Sequence, residues 1–545
     1  MASIFDVGSS ALTSLQRAIS TTGNNIANVN TEGYSRQEVE LASRNPEYIG
    51  GLALGTGVEV SSIRRAYDQF LTQDVRTRTS SSAYFELYGT TASQIDNLMA
   101  DPATSISSAM DNFFAAMEAV ANNPTSQPER QVMLSEAETL ANRFNYVDAR
   151  LSELAENMNE QMSVYVVDIN QYAEDIAQLN QQIARLERTP GGSPNDLLDQ
   201  RDRAIESLSK LVRIDAVQQN DGSINVSLTT GHRLVSQQGA EALQISSAPQ
   251  ADGPVRLYVS GPGGSNAEIT NRSVGGELGA ALDVSSNMID RARRDIGLLA
   301  VGLTDTFNIQ HKAGLALDLS AGGDFFSSIL PVTTPSTANS GTTTVSAAVN
   351  DVTQMTGASY QIEYTDTAVT ITNLATDVSQ DITGTSVTLD GVTFTVTAFD
   401  PSMEGDRFLV EPTGRAASSM AVAITDTSDI AAANAGSNVG DNRNMLSLIA
   451  LREANNLKDG TQSVYDIYNN AVSQVAVDTR SAKANAATES SLLESVIDRR
   501  ASITGVNLEE EAANLIRYQQ AYQAAAQIIT TANDVFDTLL RATSR

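Results

Sequence analysis

Apolar positions at the two ends of the chain repeat with the same seven-residue interval. At the start, Phe5, Leu12, Ile19 and Ile26 form one row, and Gly8, Leu15, Thr22 and Val29 form a second. At the finish, Leu508, Leu515, Tyr522, Ile529 and Phe536 repeat the spacing, flanked by Ala512, Gln519, Ala526, Asn533 and Leu540. A seven-residue period sets one stripe of a helix against a partner helix. Both ends are therefore expected to be helices that pack together or against other copies. Small and polar members in the rows (Gly8, Thr22, Gln519, Asn533) make each helix marginal in isolation. We take Phe5, Leu12, Leu15, Ile19, Ile26, Leu508, Leu515, Tyr522, Ile529 and Phe536 as the candidate assembly interface.

Between the ends, the pattern alternates between helix and strand periods. Asn28, Asn30 and Gly33 stop the first helix, and Gly51 to Val60 reads as extended. Helix resumes after about residue 65 and is punctuated by Pro124 and Pro128. From Met133 to Leu186 apolar residues recur in steps of three and four, with two successive fours around Met158, a local stutter in a regular seam. A continuous helix over 129–188 would be about 90 Å long. Pro190 to Pro194 ends it, and a shorter helix follows through Leu198, Ile205 and Leu208.

Period two appears from Val212, in Ile224-Val226-Leu228 and Val255-Leu257-Val259. Helix returns from Glu277 to Phe307. Residues 330–425 are Thr-rich and strand-like, and Asp390-Gly391 is a tight primed-turn signal inside Val387–Phe394. Helix closes the body from 444 to 500. The expected fold is multidomain α+β, with paired coiled-coil-like terminal helices, an elongated helical-bundle body and inserted β domains. Residues 1–40 pair with 505–545; 41–211, 276–329 and 430–504 form the body; 212–275 is a small β-rich subdomain; 330–429 is a β-rich outer insertion. This nesting puts both termini at one end, with the β material distant from them.

Charge sharpens the division. The chain has 545 residues and a formal net charge of −30, from 35 Lys plus Arg and 65 Asp plus Glu. Residues 1–45 carry a net −1 and 505–545 a net −2, so the acidity lies in the body. Nearly neutral ends pack side by side without strong repulsion, and an acidic body disfavours a nucleic-acid partner. No run of about 18 apolar residues suggests a membrane span, and no basic-apolar start suggests a cleaved leader. There is no cysteine, which excludes disulfide and thiolate chemistry.

Candidate chemistry is sparse. His232 and His311, the two histidines, are isolated and read as structural. Glu509-Glu510-Glu511 reads as a helix first turn complementing the dipole, with Asn507 and Glu510 spaced as a capping box. Gly55-Thr56-Gly57 lacks the lysine of a phosphate loop, Gly261–Gly264 reads as a turn, and Asp318 to Asp324 lacks calcium-loop spacing. No catalytic, cofactor or metal residues are assigned.

Three stretches carry a resemblance. Ala27-Asn28-Val29-Asn30-Thr31-Glu32-Gly33-Tyr34-Ser35-Arg36-Gln37 resembles the N-terminal signature of the flagellar rod, hook and hook-associated axial proteins. Gly505 to Tyr522 resembles their C-terminal signature, and Gly57 to Asp68 is similar to the segment that follows in one member. Asn28, Thr31, Gly33, Tyr34, Arg36 and Gln37 are the motif residues. The resemblance implies a non-enzymatic structural protein without cofactors, exported unfolded by the flagellar type III apparatus with a chaperone on its C-terminal region. It implies a homo-oligomeric ring at the hook tip, with hook protein below and a second junction protein above, outside the cell. Two other readings stay open: a hook-like axial protein, which the 129–188 helix opposes, and a secreted adhesin or enzyme, which the lack of Trp and 5% aromatic content oppose.

Overall fold

The computed structural model describes residues 4–49, 52–188, 194–245, 255–260, 266–269, 274–339, 343–365, 368–396 and 403–543. The turns expected at Pro190–Ser193 and Gly261–Gly264 lie outside these residues. Eleven α-helices are described: α1 Ile4–Ala27, α2 Gln69–Ala100, α3 Ile106–Asn122, α4 Gln127–Glu187, α5 Asn195–Leu211, α6 Gly276–Val284, α7 Asp290–Lys312, α8 Ala416–Ser419, α9 Arg443–Ala450, α10 Val464–Thr504 and α11 Leu508–Thr543. One π-turn, Ser285–Ile289, joins α6 to α7 without a break. The starts follow local chemistry. Asp68 accepts from Leu71 N, Ser105 from Ser108 N, and Ser463 with Asp466 forms a reciprocal capping box.

Helix α4, with 61 residues and about 90 Å of length, is the spine. Its first half buries Met133, Ala137, Leu140, Phe144, Val147 and Leu151, as the seam predicts. Past the stutter the buried row runs through Met158, Met162, Val166, Ile169, Ala173, Ile176, Asn180 and Ile183. It therefore lies one residue beyond the expected Tyr165, Tyr172 and Leu179, which are half-buried, and Leu186 is exposed. The smaller neighbours Val166 and Ala173 admit closer packing, and the phenols keep their polar ends near water. Helices α2 and α10 run against each other, with Gly89 of α2 close to Ala482 of α10 and Arg78 paired with Glu489 at 3.1 Å.

Phe113, Phe307, Phe325 and Phe326 pack at the far end of the body with ring centroids 4.9–6.0 Å apart. His311 lies beside them, fully buried. Its Nδ1 bonds Gly323 O at 2.8 Å and its Nε2 accepts from Ala431 N at 2.9 Å. That pair of bonds assigns a neutral ring protonated on Nδ1, and burial pushes its pKa down.

The small β subdomain is an antiparallel four-stranded sheet over Ile214–Ala240 and a three-stranded one from Leu243–Ile245, Leu257–Ser260 and Asn266–Ile269. It sits on the C-terminal half of α4. Asn170 exchanges bonds with Leu243 O and N at 2.8 and 2.7 Å, and Asn180 does the same with Ile224 at 2.8 and 3.0 Å. Buried Arg201 joins them, donating to Asn180 Oδ1 at 3.0 Å and Gly222 O at 2.7 Å, and burial pushes it down to about 10. This subdomain stands beside α5, whose carboxylates hold the terminal segments. The expectation that all β material lies far from the termini is thus corrected for this part.

The outer insertion consists of two antiparallel sheets. One orders Val332–Pro335, Arg407–Glu411, Tyr360–Tyr364, Val369–Asn373 and Val378–Ile382; the other orders Val345–Val349, Val392–Val396 and Ser386–Leu389. Tyr360 and Phe394 pack edge to face between them at 4.7 Å. The Asp390-Gly391 turn has φ of 48° and 74°, the two positive values of a primed turn. The strands of this insertion end at Glu411. Residues after it fold back on the body: α8 packs on α4 and α7, and Asn145 bonds the carbonyls of Ala417 and Met420 at 2.8 and 3.1 Å. Residues 412–429, expected with the insertion, belong with the helices. Among the described residues no helix is long and apolar enough to cross a membrane.

Candidate assembly interface

The first and last helices run antiparallel. An added Cβ at Gly8 would lie 2.6 Å from Ile529 Cγ1, and Asn25 bonds Glu511 at the other end of the pair. Gly8, Ser14, Ala18, Thr21, Thr22 and Asn25 are buried on α1, and Glu511, Ala525 and Ala532 on α11; of these Gly8 lies against Ile529, Asn25 bonds Glu511, and Ser14 bonds Val58 O of the hairpin at 3.3 Å. The predicted large residues sit differently. Phe5, Leu12, Leu15, Ile19 and Ile26 are half-buried, as are Leu515 and Ile529. Leu508, Tyr522 and Phe536 are exposed, with Phe536 at 56%. Ile516, Ile528 and Val535 add further apolar surface at 56%, 45% and 51%. At about 100° per residue these three leave the row that faces α1. Helix α11 therefore meets α1 with Ile529 on Gly8 and with Ala525 and Ala532 buried, and carries further large apolar side chains exposed.

The motif after α1 makes the joint. Asn28 donates to Asn24 O at 3.0 Å and Asn24 Oδ1 at 2.9 Å, and Thr31 Oγ1 donates to Asn28 Oδ1 at 3.1 Å, closing the helix end. Gly33 has φ +71°, which favours glycine, and a Cβ there would lie 2.5 Å from the Arg203 side chain, which would have to move. Tyr34, Arg36 and Gln37 converge on Asn25 and α11. Asn25 Oδ1 accepts from Tyr34 OH at 2.8 Å and from Gln37 N at 3.0 Å; its Nδ2 donates to Gln37 O at 2.9 Å and Glu511 Oε2 at 3.0 Å. All four bonding positions of a buried side-chain amide are filled. Arg36 bridges Glu510 at 2.8 Å and Glu38, while its backbone N donates to Thr504 O at 2.9 Å.

A second layer of charge fixes this joint to the body. Ser35 N and Gln37 Nε2 donate to Asp199 and Asp196 of α5 at 3.1 and 3.2 Å. Arg65, at the end of the hairpin Gln37–Ser43/Val58–Arg65, pairs with Asp199 at 2.9 Å and Asp202 at 2.5 Å; Arg76 of α2 pairs with Asp202 at 2.8 Å. Burial, with Asp196, Asp199 and Glu511 adding to it, pushes Tyr34 up to about 12, so its phenol stays a donor.

The acidic run 509–511 divides its work. Asn507 Oδ1 accepts from Glu509 N at 2.9 Å, as an N-cap, but Glu510 turns to Arg36 rather than completing the expected capping box. Glu511 is buried on Asn25. Among the described residues no cluster of His, Asp and Glu is arranged to hold a metal. Asn25, Glu511, Asp199 and Arg65 were not among the sequence candidates. Thr22, Asn25 and Asn28, spaced by three on one helical face, are the one sequence signal for such a polar joint.

The ends define the class. Residues 5–34 match the family described as flagella basal body rod protein, and 500–542 match the flagellar basal body rod FlgEFG protein C-terminal family, so this is a flagellar axial protein. Residues 92–326 match the FlgK helical domain, and 334–412 a D2-like domain of flagellar hook-associated protein 1. Flagellar hook-associated protein 1 of Escherichia coli is 34% identical, covering 99% of this chain and 100% of that one. Its namesake in Salmonella typhimurium is 35% identical with the same coverages, and that of Bacillus subtilis 27% identical over 97% of this chain and 96% of its own. The solved flagellar hook junction protein of Burkholderia pseudomallei shares the fold, with TM-score 0.70 at 23% identity over 79% of this chain and 100% of its own. The chain belongs to the flagellar hook-associated protein 1 family: it is a structural component of the bacterial flagellum, of the kind that stands at the hook–filament junction.

Proposed function

We propose that identical copies of this chain form a ring at the hook tip, seated on hook protein and capped by a second junction protein, on which the filament grows. In this reading α1 and α11 line the tubular core beside the same helices of neighbouring copies. The body packs around them and the outer insertion projects away. The chain reaches that place through the flagellar export apparatus, with a chaperone on its C-terminal region beforehand, and acts outside the cell as a structural element without catalysis or cofactor.

One observation supports the assembly reading: α11 leaves Leu508, Ile516, Ile528, Val535 and Phe536 exposed while Ile529 packs on Gly8 of α1. Large apolar side chains off an intramolecular seam lose free energy until another surface covers them, at about 1.5–3 kcal/mol for a full side chain. Deleting the gene tests the function. Cells are expected to build hooks, to lack attached filaments and to shed flagellin into the medium; normal filaments in such cells refute the junction role.

A further inference from the structure

Two stretches of chain join the outer insertion to the body, and they run side by side. Ser327 N donates to Ala421 O and Ala423 N to Phe325 O, both at 2.8 Å, so the entering and leaving strands pair at Phe326 and Val422. A domain on a two-chain neck of this kind swings unless other contacts fix it. Such contacts are present, and they fall on α7. Arg294, Gly297 and Leu298, spaced by three and four on one face, meet the insertion at two places. A Cβ on Gly297 would lie 2.2 Å from the backbone oxygen of Thr413, two residues past the last strand. Gly357, at φ +79°, has the position of its absent Cβ 3.5 Å from Arg294 O and 3.6 Å from Leu298 Cβ. Buried Thr413 donates through Oγ1 to Gly357 O at 3.5 Å, tying the two places together. Beside them Arg293 donates to Gly414 O at 3.3 Å and lies 3.5 Å from Asp148 of α4.

A third hold comes from the body loop 457–462. Leu457 is buried against Gly302 of α7, where a Cβ would lie 2.8 Å from Leu457 Cδ1. Leu457 and Gln462 exchange backbone bonds at 3.1 Å, which closes the loop. Between them Lys458 and Asp459 have φ of 47° and 58°, a left-handed conformation that costs free energy in residues with a Cβ. In that conformation Asp459 N donates to Thr353 O of the insertion at 2.6 Å, and Lys458 Nζ lies 3.9 Å from Asp295 of α7. Strained backbone thus sits where the body reaches across to the insertion.

We propose that the holds at Thr413, Gly357 and Thr353 form a rigid mount, by which α7 and the loop braced on it keep the outer insertion in one orientation. Insertion and body then turn as a single piece. A neck alone permits rotation about its own axis, and contacts outside the neck oppose it. Gly297 allows helix backbone to touch the exit of the insertion, and the left-handed pair Lys458–Asp459 is the strain accepted to reach Thr353. The mount belongs to the free subunit and does not depend on the ring.

Distances between paired spin labels on the full-length subunit test it. The chain has no cysteine of its own, so Val132→Cys on the body and Val378→Cys on the insertion, exposed at 52% and 64%, take the labels cleanly. The otherwise wild-type protein is expected to give one narrow distance distribution. Asp459→Pro, on the exposed part of the loop, removes the donor to Thr353 and cannot adopt φ 58°. It is expected to broaden the distribution about twofold. Gly297→Ala, whose Cβ displaces Thr413, is expected to shift the mean, and the double variant to broaden it further. Hydrogen exchange at Met133–Leu151 and Tyr360–Tyr364 should stay at the wild-type level in Asp459→Pro, which separates a loosened mount from an unfolded part. That variant replaces no buried side chain, so it decides the matter even where Gly297→Ala fails to fold. The proposal is overturned when the wild-type distribution is already as broad as that of Asp459→Pro, whether through free swinging in both or through an insertion held without these contacts.

Discussion

Replacing Ile516, Ile528 and Val535 together by serine isolates the apolar surface of α11 from the stability of the subunit. Serine lies close to isoleucine and valine in helix propensity, so the helix itself is little affected. The three side chains are 56%, 45% and 51% exposed, and about half of each remains to be buried by a neighbour. Half of about 1.5–3 kcal/mol per side chain gives roughly 1 kcal/mol each, or about 3 kcal/mol per subunit. That corresponds to about a 100-fold loss in the equilibrium for joining the ring. The free subunit, in which these residues stay off the α1 seam, is expected to keep its thermal midpoint within about 2 °C. Two assays read the contrast: melting of the purified subunit, and flagellin shed into the medium by a deletion strain carrying the variant. Wild-type filament retention with the triple variant refutes the reasoning. So does a large drop in the melting point, which would make the residues part of the subunit's own core.

Three further outcomes follow from buried polar groups and the β turn. His311 is neutral in the fold and has a depressed pKa, so the unfolded chain takes up a proton that the folded one refuses. Stability from this group is present above the unfolded value of about 6.5 and is lost as pH falls below it; His311→Gln should flatten the melting-point slope between pH 7.5 and 5.5. Asn180→Leu removes one of the two acceptors of Arg201 and both bonds to Ile224, and is expected to cost about 3 kcal/mol in denaturant unfolding, with lost protection centred on the small β subdomain. Asp390→Val places a β-branched residue at φ 48° and removes the acceptor shared by Tyr360 and Asn373; about 2 kcal/mol of local stability should go from the outer insertion, while exchange at the Asn25 joint stays unchanged.

Long, periodic elements were legible in the sequence because their pattern is repeated many times over. The seam of α4 from Met133 to Leu151 and the Asp390-Gly391 turn follow directly from spacing and turn chemistry. Past Met158 the period holds at Met162, Ile169, Ile176 and Ile183, but the alternate positions shift by one, with Val166 and Ala173 buried in place of Tyr165 and Tyr172. Periodicity does not contain that choice of size. At the ends the heptad rows located the helices and included Gly8, Thr22 and Ile529, of which Gly8 and Ile529 meet, but hydrophobic spacing gave no weight to Ala18 or Ala525. Close helix approach selects small residues, which carry no hydrophobic signal. Asn25 was missed for a related reason: as one asparagine among several near a helix end it reads as turn chemistry, and its partner Glu511 reads as dipole complement. Only the fold brings Arg36, Asp199 and Glu511 around it.

Asn25 and Glu511 are 486 residues apart, and their contact has a consequence in time. A chain delivered from its N-terminus presents Asn25 almost at once and Glu511 almost last. Everything between the two residues, the 61-residue spine and the outer insertion included, has emerged before the pair can meet. A chain truncated anywhere upstream of Glu511 leaves the Asn25 amide without its acidic acceptor, whatever the quality of the body already folded. The bond thus marks arrival of the last helix: a single buried contact distinguishes a chain that has reached the start of α11 from one that has not.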